Sequence, residues 1–477
     1  MKNLLPLFLI ALLFLSKPLL SQTQVSGGIY ANTTWTLAQS PYLLTNNLVV
    51  FPGATLTIQP GVEVRVKSNL SSGNPFYIEA RGTINMVGLP NANITFKSET
   101  EPTKIGAWTG FIIKNSQGGA LNYNYVNISN AIKCFDYDAS LPDSIKINQC
   151  SFKYNFYAVV VGLNLKAENC TFTQNENAVY GWSRFEFNNC LFDSNRVALS
   201  LYASLLMLNN CVISHNNMGI TLASSSMEGI SLKYCLFEDN IVAFDNANSG
   251  SIDSCTFIRN QEAIKNTYYL KIRNSNFSQN TTALQLGFGT EVMECAIFDN
   301  GTGVALGPIS FGQPAPNIKN NKICYNQLYN IDNRTDLNLF VPTNCFCISD
   351  SIEMENKIFD GYDDITKGLI SYDVFDTTCT NVLAVRNKTG EPTSLGENSE
   401  LVTTAVYPNP FQTQIIIENN HNYHSFQLMS IAGKTLITGE LKANDNAIPT
   451  ENLEAGTYLL WLRGLEGQGK CFKLIRN

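Results

Sequence analysis

Cysteine in this chain keeps a period. Cys150, Cys170, Cys190, Cys211, Cys235, Cys255 and Cys295 follow one another at steps of 20, 20, 21, 24, 20 and 40 residues, and Ser275 stands on the missing rung. A disulfide framework has no reason to hold one period, whereas a stacked repeat does. Four further columns keep step. Two residues after each rung come Phe152, Phe172, Phe192, Ile213, Phe237, Phe257, Phe277 and Ile297. Three later come Asn155, Asn175, Asn195, Asn216, Asn240, Asn260, Asn280 and Asn300. A small residue follows (Ala158, Ala178, Ala198, Gly219, Ala243, Ala263, Ala283, Gly303), and directly after it an apolar one (Val159, Val179, Leu199, Ile220, Phe244, Ile264, Leu284, Val304).

Alternation along a strand puts Cys and the Phe two residues later on one face, which must point inward. Asn is expected at a turn, tolerating left-handed backbone and bonding the Asn above and below. Ala or Gly lets the chain bend close to the core. Parallel strands on successive coils lie about 4.8 Å apart, so like residues form ladders, and stability comes from stacking because no coil buries its own apolar face.

This pattern resembles the right-handed parallel β-helix repeat family, whose fold is shared by pectate lyases, polygalacturonases and many surface proteins. The resemblance is tightest over residues 121–330. Upstream, Gly53-Ala-Thr-Leu-Thr-Ile-Gln-Pro-Gly61-Val-Glu-Val64 resembles the first coils of exported β-helices, continued by Gly82-Thr-Ile84, Ile94-Thr-Phe96 and Trp108-Thr-Gly-Phe-Ile-Ile113. Downstream, Ile358-Phe-Asp-Gly-Tyr-Asp-Asp364 through Gly368-Leu-Ile-Ser-Tyr372 resembles a closing segment, which a terminal coil needs to cover its open edge. The expected fold is therefore all-β: a parallel β-helix with its caps over residues 22–385, then a small β-sandwich.

Export is expected from the start of the chain. Lys2, an apolar run from Leu4 to Leu15, and small and polar residues through Ser21 and Gln22 have the order of a secretory signal peptide over residues 1–21. No Cys follows the expected cut, so a lipoprotein anchor is not expected, and no later stretch reaches membrane-spanning length. A net charge of −7 argues against a nucleic-acid partner, which would want a basic stripe.

Residues 386–403 read as a polar linker, and the texture after it is of short strands and turns over residues 404–477. On its residues alone this tail is a generic small β-sandwich. Tyr407-Pro-Asn-Pro-Phe411, Ile431-Ala-Gly-Lys434, Leu453-Glu-Ala-Gly-Thr-Tyr458 and the final Lys473-Leu-Ile475 make it closely similar to the type A sorting domain of the type IX secretion system of the Bacteroidota. That resemblance implies type IX machinery as a partner, outer-membrane translocation, removal of the tail, and release or attachment at the cell surface. Cys471 is a departure from the family's pattern.

Chemistry is less legible. The Cys ladder runs in a line where metal ligands would converge, and buried thiols acting as small hydrophobes are the commoner reading. Cys345, Cys347 and Cys379 lie off the ladder, and Cys345–Cys379 is the pairing expected if one disulfide forms. His215 is the solenoid's only histidine, so a Ser-His-Asp triad or His-rich zinc site lacks its parts. Carboxylates on neighbouring coils are the enzyme option. The outward row after the Ala column reads Val160, Tyr180, Ser200, Thr221, Asp245, Lys265, Gln285 and Ala305; Asp245 and Lys265 are its one acid–base pair, more often an exposed ion pair than catalysts. No cofactor is expected; Ca²⁺ at Asp360, Asp363 and Asp364 is the sole candidate, against the commoner reading of a solvated turn. Tyr180, Trp182 and Tyr202 should face outward on two adjacent coils and stack on sugar rings or fill a partner's pocket; chance clustering under a loop is an even alternative. The expected function is a secreted or cell-surface β-helix presenting a binding surface for glycan or another surface molecule. The rival is a polysaccharide lyase or glycoside hydrolase on the same fold, and a passive scaffold is a third reading.

Overall fold

A computed structural model describes residues 22–68, 75–100, 103–137, 144–162, 164–223, 229–307, 312–372, 379, 405–418, 423–430, 435–441, 446–463 and 469–476. The expected signal peptide, the linker and the Ile431–Lys434 motif lie outside the described residues. The chain forms two compact units, residues 1–140 and 141–477.

In the first unit every named strand pairing is parallel. Thr23–Ile29 pairs with Tyr42–Val50, which continues to Glu63–Val66 and to Tyr77–Ala80. Glu63–Val66 pairs with Ile94–Ser98, and Tyr77–Ala80 with Gly110–Ile113. A second sheet stacks Thr33–Trp35, Thr55–Ile58, Thr83–Val87 and Ala120–Asn124. The strict alternation of Thr55–Ile58 and Glu63–Val66 buries Leu56, Ile58, Val64 and Val66 and leaves their neighbours half-exposed. Trp108, Phe96, Phe111 and Phe135 fill this unit's interior. Gly53 and Gly61 sit at φ 82 and 80, the left-handed turns on either side of Thr55–Ile58.

In the second unit the repeat columns become rows in register. Phe152, Phe172, Phe192, Ile213, Phe237, Phe257, Phe277 and Ile297 pair each with the next, and Ile323 extends the row. The rings stack face to face: Phe172 and Phe192 lie 4.8 Å apart at 4°, Phe237 and Phe257 4.4 Å apart at 5°. Val159, Val179, Leu199, Ile220, Phe244, Ile264, Leu284 and Val304 form a second buried row. A third row, Ile147, Ala167, Phe187, Leu208, Leu232, Ile252, Ile272, Val292 and Ile318, closes the core from the remaining side.

The Asn column is a buried ladder. The Oδ1 of each Asn from Asn175 to Asn326 accepts the backbone N–H of the preceding Asn at 2.8–3.1 Å and its Nδ2 at 2.9–3.0 Å. Each Nδ2 also donates to a carbonyl of the Phe row, as Asn216 does to Phe192 at 3.0 Å. The left-handed residue is the one before the Asn, which corrects the expected turn: Tyr154, Gln174, Ser194, His215, Asp239, Arg259, Gln279 and Asp299 all lie at φ 54–58. That turn swings the next side chain inward, so the Asn itself is inside.

Cys150, Cys170, Cys190, Cys211, Cys235, Cys255 and Cys295 stand outside the disulfides and are buried. Several bond the carbonyl two residues back, as Cys170 does to Glu168 at 3.2 Å, and Ser275 reproduces that bond to Arg273 at 2.7 Å. A hydroxyl therefore replaces a thiol without leaving an orphan donor. Burial pushes the thiols of Cys134, Cys190 and Cys235 well above their ordinary range, and that of Cys295 to about 12.

The closing segment contains the helix Ser351–Glu355, whose first turn is capped by the Asp350 carboxylate on the N–H groups of Ile352 and Glu353, both at 2.9 Å. Two disulfides bind the segment, Cys345–Cys379 as expected and Cys324–Cys347 in addition. The tail is antiparallel throughout its named strands. Ala405–Tyr407, Gln414–Glu418 and Asn446–Pro449 form one sheet, and Thr435–Glu440, Ser425–Ser430, Gly456–Arg463 and Gly469–Arg476 the other. Phe411, Ile415, Ile417, Leu428, Ile448, Leu460 and Leu474 pack between them.

Candidate functional site

Strand Asn177–Asn188 serves two faces. Val179 and Gly181 are buried, so Tyr180 and Trp182 point outward between them. At Ser183 φ reaches 139 and the register with the next coil shifts. Beyond this irregularity Phe185 and Phe187 are inside, and Arg184 and Glu186 outside.

Trp182 pairs in register with Tyr202 on the next coil; they are 51% and 48% exposed. Tyr180 is half-buried and meets both edge-on, with centroids 6.3 Å from each and interplanar angles of 83° and 79°. The three rings thus form a buttressed cluster, and edge-to-face contact suits the quadrupoles of neighbouring rings. Gly162 explains how an indole fits there. A Cβ on Gly162 would lie 2.9 Å from Trp182 Nε1, so the ring occupies space that only glycine leaves.

Two residues of this cluster escaped the sequence reading. Tyr157 lies 5.8 Å from Tyr180, and Phe156, 40% exposed, packs edge-on against Tyr157 at 4.9 Å. Their signal was the pair after Asn155, which is Phe-Tyr where the next coils have Glu176-Asn177 and Arg196-Val197.

Past the Ser183 irregularity the same strand borders a groove of about 290 Å³. Leu165, Phe185 and Met207 supply its apolar part, and Lys146, Lys166, Arg184 and Glu186 its charges. Lys166 bonds Glu168 at 3.0 Å and Glu186 at 3.3 Å, and those carboxylates raise its pKa. Ser183 Oγ donates to Asn164 Oδ1 at 3.0 Å at the junction.

Asp245 and Lys265 are register partners on adjacent coils. Their charged ends go elsewhere: Lys265 Nζ pairs with Glu262 at 2.7 Å, and Asp245 Oδ1 accepts Asn266 Nδ2 at 2.7 Å. Asp360 is buried, with Oδ1 accepting the Tyr362 N–H at 2.8 Å and Oδ2 the Ile370 N–H at 2.7 Å. Asp363 accepts the Asp360 N–H at 3.1 Å, and Asp364 the N–H and hydroxyl of Thr366 at 3.0 and 2.8 Å. These carboxylates hold a turn together.

The solenoid's one histidine belongs to a titratable cluster on another row. His215 Nδ1 lies 2.8 Å from Asp193 Oδ1, and Nε2 3.6 Å from Asp239 Oδ2, on the coils either side. Ser214 and Ser194 donate to Asp193 at 2.8 and 2.9 Å, and Arg259 joins Asp239 at 3.0 Å. Burial raises the Asp193 pKa, but the bonds from His215, Ser214 and Ser194 outweigh it and the net shift is downward. One-dimensional spacing did not reveal this because the partners are a full coil apart.

Similarity to known proteins agrees with the architecture. Residues 179–323 match the right handed beta helix region, residues 27–131 the pectate-lyase like beta helix domain, and residues 405–475 the secretion system C-terminal sorting domain. No curated protein matches the sequence. Among solved structures, tailspike protein 3 of bacteriophage CBA120 is similar at 9% identity and a TM-score of 0.35, over 84% of this chain and 62% of that one. The chain thus spans less than two thirds of that protein's length. Among the described residues no helix is long and apolar enough to cross a membrane.

Proposed function

From a chain that carries right-handed β-helix regions and a secretion-system sorting tail, which directs it to the cell surface or extracellular space, we propose a surface protein that binds glycan at the Trp182–Tyr202 cluster. The observation that carries this reading is the pair of exposed rings in register on adjacent coils, each braced edge-on by Tyr180. Rings held this way lose little side-chain entropy on binding, and their exposed faces are apolar surfaces suited to the C–H faces of a sugar. Arg184 and Lys146 border the adjoining groove and offer hydrogen-bond donors to hydroxyl or acidic substituents.

The test is a polysaccharide panel scored for binding and for release of reducing or unsaturated ends. Trp182→Ala should weaken binding of any retained glycan by tenfold or more with the circular dichroism spectrum unchanged. Gly162→Ala, which displaces the indole, should weaken it less. Equal binding by Trp182→Ala and the parent would remove this cluster from the reading. Turnover that is lost in Asp245→Asn would move the protein to the lyase or hydrolase class.

A further inference from the structure

The ladder cysteines run in a line, but four others converge. The bridge between Lys322 and Cys345 sets Cys345-Phe346-Cys347 over Lys322-Ile323-Cys324, so Cys347 stands above Cys324. Phe346 is buried as the Phe row would have it, and the cysteines flank it. Cys379 comes from beyond the closing segment. All four Sγ atoms lie within 4.8 Å of one another, and Cys347 and Cys379, which are not bonded to each other, are 3.3 Å apart. Two disulfides require contact only within each pair; here the pairs also share one small volume.

We propose that this four-sulfur box is a metal site in its reduced state, taking one zinc-class divalent ion as a tetrathiolate, and that the two disulfides are its oxidised form. A tetrahedral site with Zn–S bonds of about 2.3 Å has sulfurs about 3.8 Å apart, within the spread of the sulfurs seen here. The Cα separations across the two pairs, 5.5 and 5.3 Å, let each sulfur draw back by rotation about its side-chain bonds. Cys324 and Cys345 are buried, while Cys347 and Cys379 are partly exposed, so the ion has a route in. Two molecules of a dithiol reductant open the two disulfides, four electrons in all, and become two cyclic disulfides. The ion then replaces four thiol protons. Either form ties the last coil to the chain leaving it.

The experiment uses the full chain, reduced with a dithiol, freed of it anaerobically, and titrated with Co²⁺ followed by Zn²⁺. Reduced protein should take up one equivalent of Co²⁺ with the visible bands of a tetrahedral thiolate, and Zn²⁺ should bleach them. The oxidised chain should give none. Cys347→Ser and Cys379→Ser, each checked for folding by circular dichroism, should lose the tetrathiolate spectrum. A reduced chain without these bands, whether folded or not, overturns the proposal. So do bands that persist unchanged in both variants, since the ligands would then lie elsewhere.

Discussion

Asn216 uses its whole side-chain hydrogen-bonding capacity in the dark of the core. Its Oδ1 accepts twice from Asn195, and its Nδ2 donates to Phe192 and to Asn240. Asn216→Ala strands the donors of Asn195 and the carbonyl of Phe192, at about 1–3 kcal/mol for each buried orphan. Urea unfolding should show a loss of about 3 kcal/mol or more; a loss under about 1 kcal/mol would mean that water or a neighbour takes over these bonds. The sequence made this column visible but misplaced the left-handed residue. The residues that do turn, among them Tyr154, His215 and Arg259, share no chemistry, because the coil's path imposes the conformation and side-chain type does not. Asp193 makes a second residue-scale prediction. Its pKa is depressed below the ordinary 3.8, so its contribution to stability is present above that value and vanishes as pH falls through the folded-state pKa. The stability gap between the parent and Asp193→Asn should therefore be open near about pH 7 and narrow below about pH 4; a gap constant over that range would contradict the assignment.

At the scale of the element, the ladder thiols test whether the coils are as closed as the stacking implies. Cys134 and the seven ladder cysteines are buried thiols outside the disulfides, and the four cap cysteines are bonded in pairs. A thiolate is the reactive form, and burial holds Cys134, Cys190, Cys235 and Cys295 as thiols. A native chain exposed to an excess of thiol reagent should leave these eight unmodified until denaturant is added, as read by intact mass. Rapid modification of Cys190 would show that the coils open locally. Two of the three core rows were legible because they keep a fixed offset from Cys. The third row, Ile147 to Val292, keeps a fixed offset too, three residues before each rung, but its side chains range from Ala167 to Phe187, so it does not stand out as one residue type. The aromatic cluster was legible in its outward direction and not in its geometry. Tyr180 stands edge-on because Trp182 is drawn over Gly162, a contact between coils that no spacing along the chain encodes.

For the molecule as a whole, the in-register rows mean that a coil is defined only by its neighbours. Thr256 pairs with Asn276, Phe257 with Phe277 and Ile258 with Ser278, so excising residues 256–275 joins Cys255 to Asn276 and restores every row with one rung fewer. That variant should fold and unfold in a single urea transition, with a smaller dependence on urea because less surface is exposed. Removal of residues 256–265 alone should abolish the transition, since half a coil brings the wrong face inward. Failure of the full-coil deletion would show that particular coils, and not the repeat, specify the fold. The sorting tail was readable at this scale because its motifs carry their own order and spacing. The ligand was not, because a binding face is set by a few outward residues that the repeat leaves unconstrained. The same freedom turns the solenoid into a ruler graduated in coils of about 4.8 Å. Insertions and deletions of whole graduations alter the interval between the aromatic cluster and the four-sulfur box while leaving each of them intact, so reach and recognition are adjustable independently.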